Sequence, residues 1–226
     1  MALAVGRWGE AFKAVSPGML PPMGLLFGLI VGFLAAQVWS DAGRAQDAVN
    51  REASSLRSVV LLAHAFPGTQ ENRMDALVRR QIRVAVEDEW PAMAEQRATL
   101  AVVSAPLADA LQLAVRLSPR TDGQRDAQRE IVSSLQAAAD ARRQRIIVSE
   151  SSVNWSKWTG VILVALLTLV AIAFVHSGNR LAAALAIGLF SAAVAASLML
   201  IVAQERPFSG PFAVRPDVLV QVTPRP

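Results

Sequence analysis

Two clusters of charge hold most of the chemistry this chain has to offer, and both lie in its middle. Glu87-Asp88-Glu89, directly before Trp90-Pro91, is the one acidic run between residues 40 and 157. Its oxygens are of the kind calcium takes. Three consecutive helical residues point in different directions, however, so the run reads as a solvated face. Arg142, Arg143 and Arg145 are the basic counterpart. They bind anionic lipid headgroups, or attract anions toward a vestibule, or form a second solvated face. Trp90 reads as a core anchor and Pro91 as a helix start.

Catalytic chemistry finds little else to work with. The chain has no cysteine, hence no disulfide, thiolate metal site or thiol nucleophile. His64 and His176 are far apart on different elements, and neither has metal-ligand spacing around it. There is no Gly-rich phosphate loop, no Gly-x-Ser-x-Gly elbow and no His-Glu-x-x-His. The expectation is a protein that is not an enzyme, with no catalytic residue, no metal and no cofactor. A net charge of +4 hints at nucleic acid, yet residues 40–157 set 15 arginines against 15 acidic residues. No basic stripe with interleaved aromatics tracks a phosphate backbone, so nucleic acid is not an expected partner.

The elements that must position these groups are helices, and three of them are hydrophobic. Met19 to Trp39, Trp158 to Val175 and Leu181 to Ala203 contain no Asp, Glu, Lys or Arg. At about 1.5 Å per residue each covers roughly the 30 Å hydrocarbon thickness of a bilayer. A cleaved signal peptide is the alternative for the first run. Its apolar stretch exceeds the usual core of about 7–15 residues, and Leu34-Ala35-Ala36-Gln37 is a poor cleavage site. The expected fold is all-α: an integral membrane protein with three transmembrane helices and a helical extramembrane domain. The segments are 1–18, an N-terminal segment; 19–39, the first span; 40–157, a helical cytoplasmic insert; 158–175 and 181–203, the second and third spans; and 204–226, an extended Pro-rich tail.

Within the insert, Ala45, Val49, Ala53, Leu56, Val60 and Ala63 recur at helical spacing up to Pro67-Gly68. One continuous helix is therefore expected from the first span to Phe66. A second, about 70–90, puts Met74, Leu77, Val78, Ile82, Ala85 and Val86 on one face, with Thr69 as its cap. Two short helices follow, about 92–104 and 107–117. Thr121 and Gln124 resemble a capping box for a last helix, about 122–157. It carries Ala127, Ile131, Leu135, Ala138, Arg142, Ile146 and Ser149 and meets no breaker before the second span.

Arg44, Arg51, Arg142, Arg143, Arg145 and Lys157 flank the membrane on the insert side, against Arg7, Lys13 and Arg180 on the other. This excess places the insert in the cytoplasm. Trp39, Trp155 and Trp158 mark the interface at one level.

Gly24, Gly28, Gly32 and Ala36 repeat every four residues in the first span, and Ala184, Gly188, Ala192 and Ala196 do so in the third. Such stripes let helix backbones approach closely in lipid. The second span lacks one and is the expected lipid-facing helix. Opposite the glycine stripe lie Met23, Leu26, Ile30, Phe33 and Gln37, with Leu34 beside them. In a lone bundle this face meets lipid or other helices. In a ring of subunits it lines an axis, as a hydrophobic constriction that gates by dewetting.

Several local patterns, taken together, carry a family resemblance. They are Trp39-Ser40-Asp41 with Arg44-Ala45, Arg51-Glu52-Ala53 with Leu56-Arg57, and Glu89-Trp90-Pro91-Ala92-Met93. Gln124-Arg125 with Arg129-Glu130, Ala141 to Arg145, Val153-Asn154-Trp155 and Arg206-Pro207-Phe208-Ser209-Gly210 add to these. The chain resembles the bacterial bestrophin-like domain family over nearly its whole length. Members usually have one more N-terminal span, so the resemblance implies that residues 1–18 correspond to an outer loop and that the chain starts late. Bestrophins proper are pentameric ion channels whose second span lines the pore, the position the first span here matches. The resemblance implies a homo-oligomer, a pentamer by analogy, in the bacterial inner membrane as a multi-pass protein. Its partners would be membrane lipid and inorganic ions. The expected function is an ion channel with anions slightly preferred. The alternative is a non-conducting scaffold or sensor whose cytoplasmic helices bind a partner protein. A transporter ranks third, since no ionisable residue marks a midplane site.

Overall fold

Residue 18 and residues 20–101, 103–151 and 155–224 are described in a computed structural model of the chain. The N-terminal segment, apart from Gly18, and the Val153-Asn154 pair lie outside the described residues. Among these residues every regular element is helical: α1 Leu20–Ala63, α2 Thr69–Val84, α3 Trp90–Ala94, α4 Ala105–Val115, α5 Asp122–Ser149, α6 Trp155–Val175, α7 Arg180–Gln204 and α8 Asp217–Gln221. The chain divides into two units, Met1–Trp39 with Ser152–Glu205 and Ser40–Ser151 with Arg206–Pro226.

The first unit holds the apolar helices. α1, α6 and α7 are long and apolar enough to cross a membrane. α1 is one unbroken helix of 44 residues despite its four glycines, with Pro21 and Pro22 in a first turn that needs no amide donors. Phe27, Leu34 and Val38 of α1 pack with Val161 and Ala165 of α6 and Ile201 of α7. The Phe27 and Phe190 rings meet at 5.4 Å. α6, expected to face lipid, is the helix this chain covers best, through Val161, Ala165, Thr168, Ala171 and Ile172. α7 buries only Ile201. Branched side chains and Thr168, whose hydroxyl donates to Val164 O at 2.8 Å, fill the seam without any small-residue stripe. Asn179 caps α7 by accepting from Leu181 N and Ala182 N.

The second unit is a helical core built on the predicted stripes. Val49, Ala53 and Leu56 of α1 meet Met74, Val78 and Ile82 of α2, Ala110 of α4, and Ile131, Leu135 and Ile146 of α5. Thr121 accepts from Gln124 N at 3.1 Å, the forward half of the expected capping box, while Gln124 Oε1 accepts from Arg120 N at 2.8 Å, one residue before the cap. α2 is capped by Gly68 at φ 94 rather than by Thr69.

Four further expectations fail for physical reasons. α2 gives way to a π turn, Ala85–Glu89, which Trp90 N closes by donating to Ala85 O. This wider turn accommodates Pro91, which has no amide to donate. The helix expected over 92–104 stops at Ala94, where Gln96 takes φ 56 and Arg97 N reaches back to Ala92 O at 2.7 Å. That is a C-terminal motif usually signalled by glycine, which this sequence lacks. α5 closes at Ser149 instead of running on to residue 157. Ser149 and Ser151 hydroxyls donate to Ile146 O and Val148 O at 2.7 and 2.6 Å, competing with helix continuation. The tail is not extended. Val214 N donates to Pro207 O at 2.7 Å, α8 follows, and Phe208, Val214 and Leu219 are buried in the second unit's core.

Candidate functional site

On α1 the seam divides the predicted axial face. Leu34 is only 4% exposed and belongs to the contact with α6 and α7, so it faces its own chain. Met23, Ile30 and Gln37 are half-buried, while Leu26 and Phe33 stand out at 55% and 68% exposure. An open cleft of 320 Å³ runs past Ile30, Phe33, Leu34 and Gln37 and is walled by Lys157, Gly160 and Val161 of α6. At one end Lys157 Nζ donates to Gln37 Oε1. Gly24, Gly28, Gly32 and Ala36 are exposed, as are Ala184, Gly188, Ala192 and Ala196. Nothing lies within 4 Å of a methyl group built on Gly24, Gly28, Gly32 or Gly188. The helices of this chain therefore meet elsewhere, and both stripes are left on its outside.

Each charged cluster of the second unit turns part of itself inward and leaves the rest in solvent. The π turn swings Glu89 inward, while Glu87 and Asp88 remain exposed. Glu89 bridges two arginines, with Arg142 Nε at 2.6 Å from Oε1 and Arg145 Nη2 at 2.7 Å from Oε2. Arg145, wholly buried, also donates from Nε to Glu52 Oε2 at 2.8 Å and from Nη2 to Glu52 Oε1 at 3.3 Å. Its Nη1 lies 3.6 Å from Met93 Sδ, and its guanidinium carbon stands 5.1 Å from the centre of the Trp90 ring. Trp90 donates its indole N–H to Val214 O at 3.2 Å and packs edge-on against Phe208, which makes it the core anchor its motif suggests. Ser104 donates to Gln81 Oε1, and Gln81 Nε2 donates to Glu52 Oε1 at 3.5 Å, extending the network to α2.

Burial works against the Arg145 charge, but the carboxylates of Glu52 and Glu89 outweigh it and hold its pKa above the ordinary value. Two arginines and two glutamates leave the network neutral, and it ties together side chains from α1, α5 and the π turn. Arg143 stays exposed and pairs with Asp140 at 3.4 Å. Among the described residues no group of three or more His, Cys, Asp or Glu side chains stands ready to hold a metal.

Glu52 stands in the Arg51-Glu52-Ala53 pattern of the family resemblance, but its buried role in the ion network is not evident from that pattern. It lies three residues after Val49 and four before Leu56, on the apolar face. A charge at that register is the signal. Arg142 belongs to the α5 stripe, and Arg145 lies three residues further along the same face.

Comparison with known proteins agrees with this architecture. A variant of a bacterial bestrophin homologue from Klebsiella pneumoniae superposes with a TM-score of 0.71 at 13% identity, over 98% of this chain and 91% of that one. A second variant of the same homologue gives 0.70 at 12% identity, with the same coverage. A variant crystallised as a membrane protein gives 0.69 at 12%, over 92% of this chain and 85% of that one. At such identities the likeness concerns the fold, and with the apolar helices it supports a membrane location. No curated protein matches the sequence significantly. The bestrophin-like domain profile matches residues 2–219 of the 226, and the chain belongs to the bestrophin-like domain family.

Proposed function

We propose that the protein is a homo-oligomeric ion channel, with anions slightly preferred over cations and the first part of α1 nearest the axis. Membership of the bestrophin-like family supports a channel, and a pentamer by analogy. The observation that carries the reading is the exposure of two large apolar side chains on α1, Phe33 at 68% and Leu26 at 55%, neither of which belongs to the chain's own seam. In lipid, the exposed small-residue stripes on α1 and α7 give copies of the chain a way to approach closely. A ring closed in this way has Ile30 and Phe33 at its narrowest apolar point and Gln37 at one exit. The three spans are about 20–39, 158–175 and 181–203, and the second unit lies in the cytoplasm on the strength of its basic flanks.

A dry constriction of large apolar side chains resists ions until it widens or becomes polar. Ile30→Ser and Phe33→Ala should raise ion flux in liposomes that contain the full-length oligomer, and Leu167→Ala on α6 should not. Negligible flux for the native protein and all three variants would replace the channel with a non-conducting scaffold.

A further inference from the structure

We propose that Lys157 sets the ion preference of this channel by placing a positive charge at the mouth of the α1 constriction. The inference rests on the ring reading above. Lys157 and Gln37 are 120 residues apart in sequence, yet the ammonium donates to the Gln37 side-chain oxygen, and both line the cleft that holds Ile30 and Phe33.

The nature of the partner matters. A carboxylate at residue 37 would cancel the charge it held, whereas an amide oxygen fixes the ammonium in position and leaves its full positive charge. Among the described residues of the first unit only Lys157, Arg180 and Glu205 carry formal charge. Arg180 opens α7, at the other end of the α6–α7 hairpin. Glu205 accepts from the Trp158 indole at 3.5 Å. Lys157 is thus the cation beside Gln37. The chain has 20 arginines but only two lysines. A lysine here is a compact, strongly hydrated point charge that attracts a passing anion without gripping it in a two-pronged pair. Repeated in each subunit, it forms a positive ring next to a water-poor stretch, where a charge is felt more strongly than in bulk water.

The alternative role for a lysine at this position is an interfacial anchor that sets topology. An anchor affects how much protein inserts, but not which ion crosses. The test is the reversal potential of the full-length oligomer in a planar bilayer under a sodium chloride gradient, with Phe33→Ala as the conducting background. Chloride preference is expected for this background and for Lys157→Arg. Lys157→Gln should bring the two ions close to parity, and Lys157→Glu should favour sodium, a swing of about tenfold or more in the permeability ratio. Arg180→Gln should leave the ratio unchanged. Unaltered chloride preference in Lys157→Glu, with flux intact, overturns the role of Lys157 while leaving the channel standing. So does sodium preference in the background. Absence of current from every variant removes the channel reading and this inference with it.

Discussion

Arg145 and Glu52 face each other across the second unit with Nε 2.8 Å from Oε2, and neither side chain touches solvent although 93 residues separate them. Removing two such charges from water costs several kcal/mol each, and only near-ideal geometry offsets it. Here the geometry is supplied from three directions: α1 brings Glu52, the π turn brings Glu89 and α5 brings Arg145. Such a network is weak grounds for extra stability. It is better understood as a constraint on register, since a helix that slips by a residue leaves a charge bare.

Breaking the pair from one side should therefore be costly. Arg145→Met strands the Glu52 carboxylate and should lower stability by about 3–5 kcal/mol. For a chain of this size that is a fall of roughly 10 °C in apparent Tm. The double variant Glu52→Leu with Arg145→Met removes both charges, keeps Glu89 paired with Arg142, and should recover most of the loss. Thermal unfolding of the detergent-solubilised chain checks both. A single variant as stable as the native protein would mean that the network constrains nothing.

Asp75 supplies a pH dependence with a defined sign. Burial, and secondarily the neighbouring Glu71 carboxylate, push its pKa above the ordinary 3.8, against the pull of His64 and Arg79. Its Oδ1 is buried without a hydrogen-bond partner among the described residues. Between 3.8 and its folded value, Asp75 keeps in the folded protein a proton that the unfolded chain has already released. Stability falls as pH rises from 3.8 through the folded value, and the penalty is complete above it. Asp75→Asn should unfold at a higher temperature than the native protein at neutral pH, with the gap closing below the ordinary carboxyl range. A gap that widens on acidification would contradict this.

Gly28 separates packing within a chain from packing between chains. Nothing within 4 Å would meet a methyl group there. Gly28→Leu should accordingly leave the folding of a single chain intact while weakening the oligomer, and Leu29→Ala should do neither. Mass measurement in nanodiscs distinguishes the two. If Gly28→Leu leaves the oligomer unchanged, the stripe is only a matter of composition.

The parts of the structure written most plainly in the sequence are those governed by periodicity. The apolar runs, the α1 stripe and the Thr121 cap all depend on neighbours within a turn or two, and they appear where their spacing puts them. Interactions across long separations were not legible in the same way. Glu89 reads as solvent-facing until the π turn before Pro91 rotates it inward, and the tail reads as extended until Phe208 finds Trp90. The α5 terminus and Gln96 carry no glycine or proline to announce them. Small-residue stripes identify surfaces suited to close approach without saying whose helix approaches, so the seam inside the chain could not be told from one between chains.

The central claim, that α1 lines the axis, is tested most directly by a single cysteine at Phe33, because the native chain has none. A charged thiol reagent added to Phe33→Cys oligomers in liposomes places a permanent charge at the predicted constriction and should change ion flux sharply, since charge wets a dry pore. The same reagent on Leu167→Cys should leave flux unaltered. Complete labelling at residue 33 with no change in flux, or an equal change at residue 167, would contradict the account.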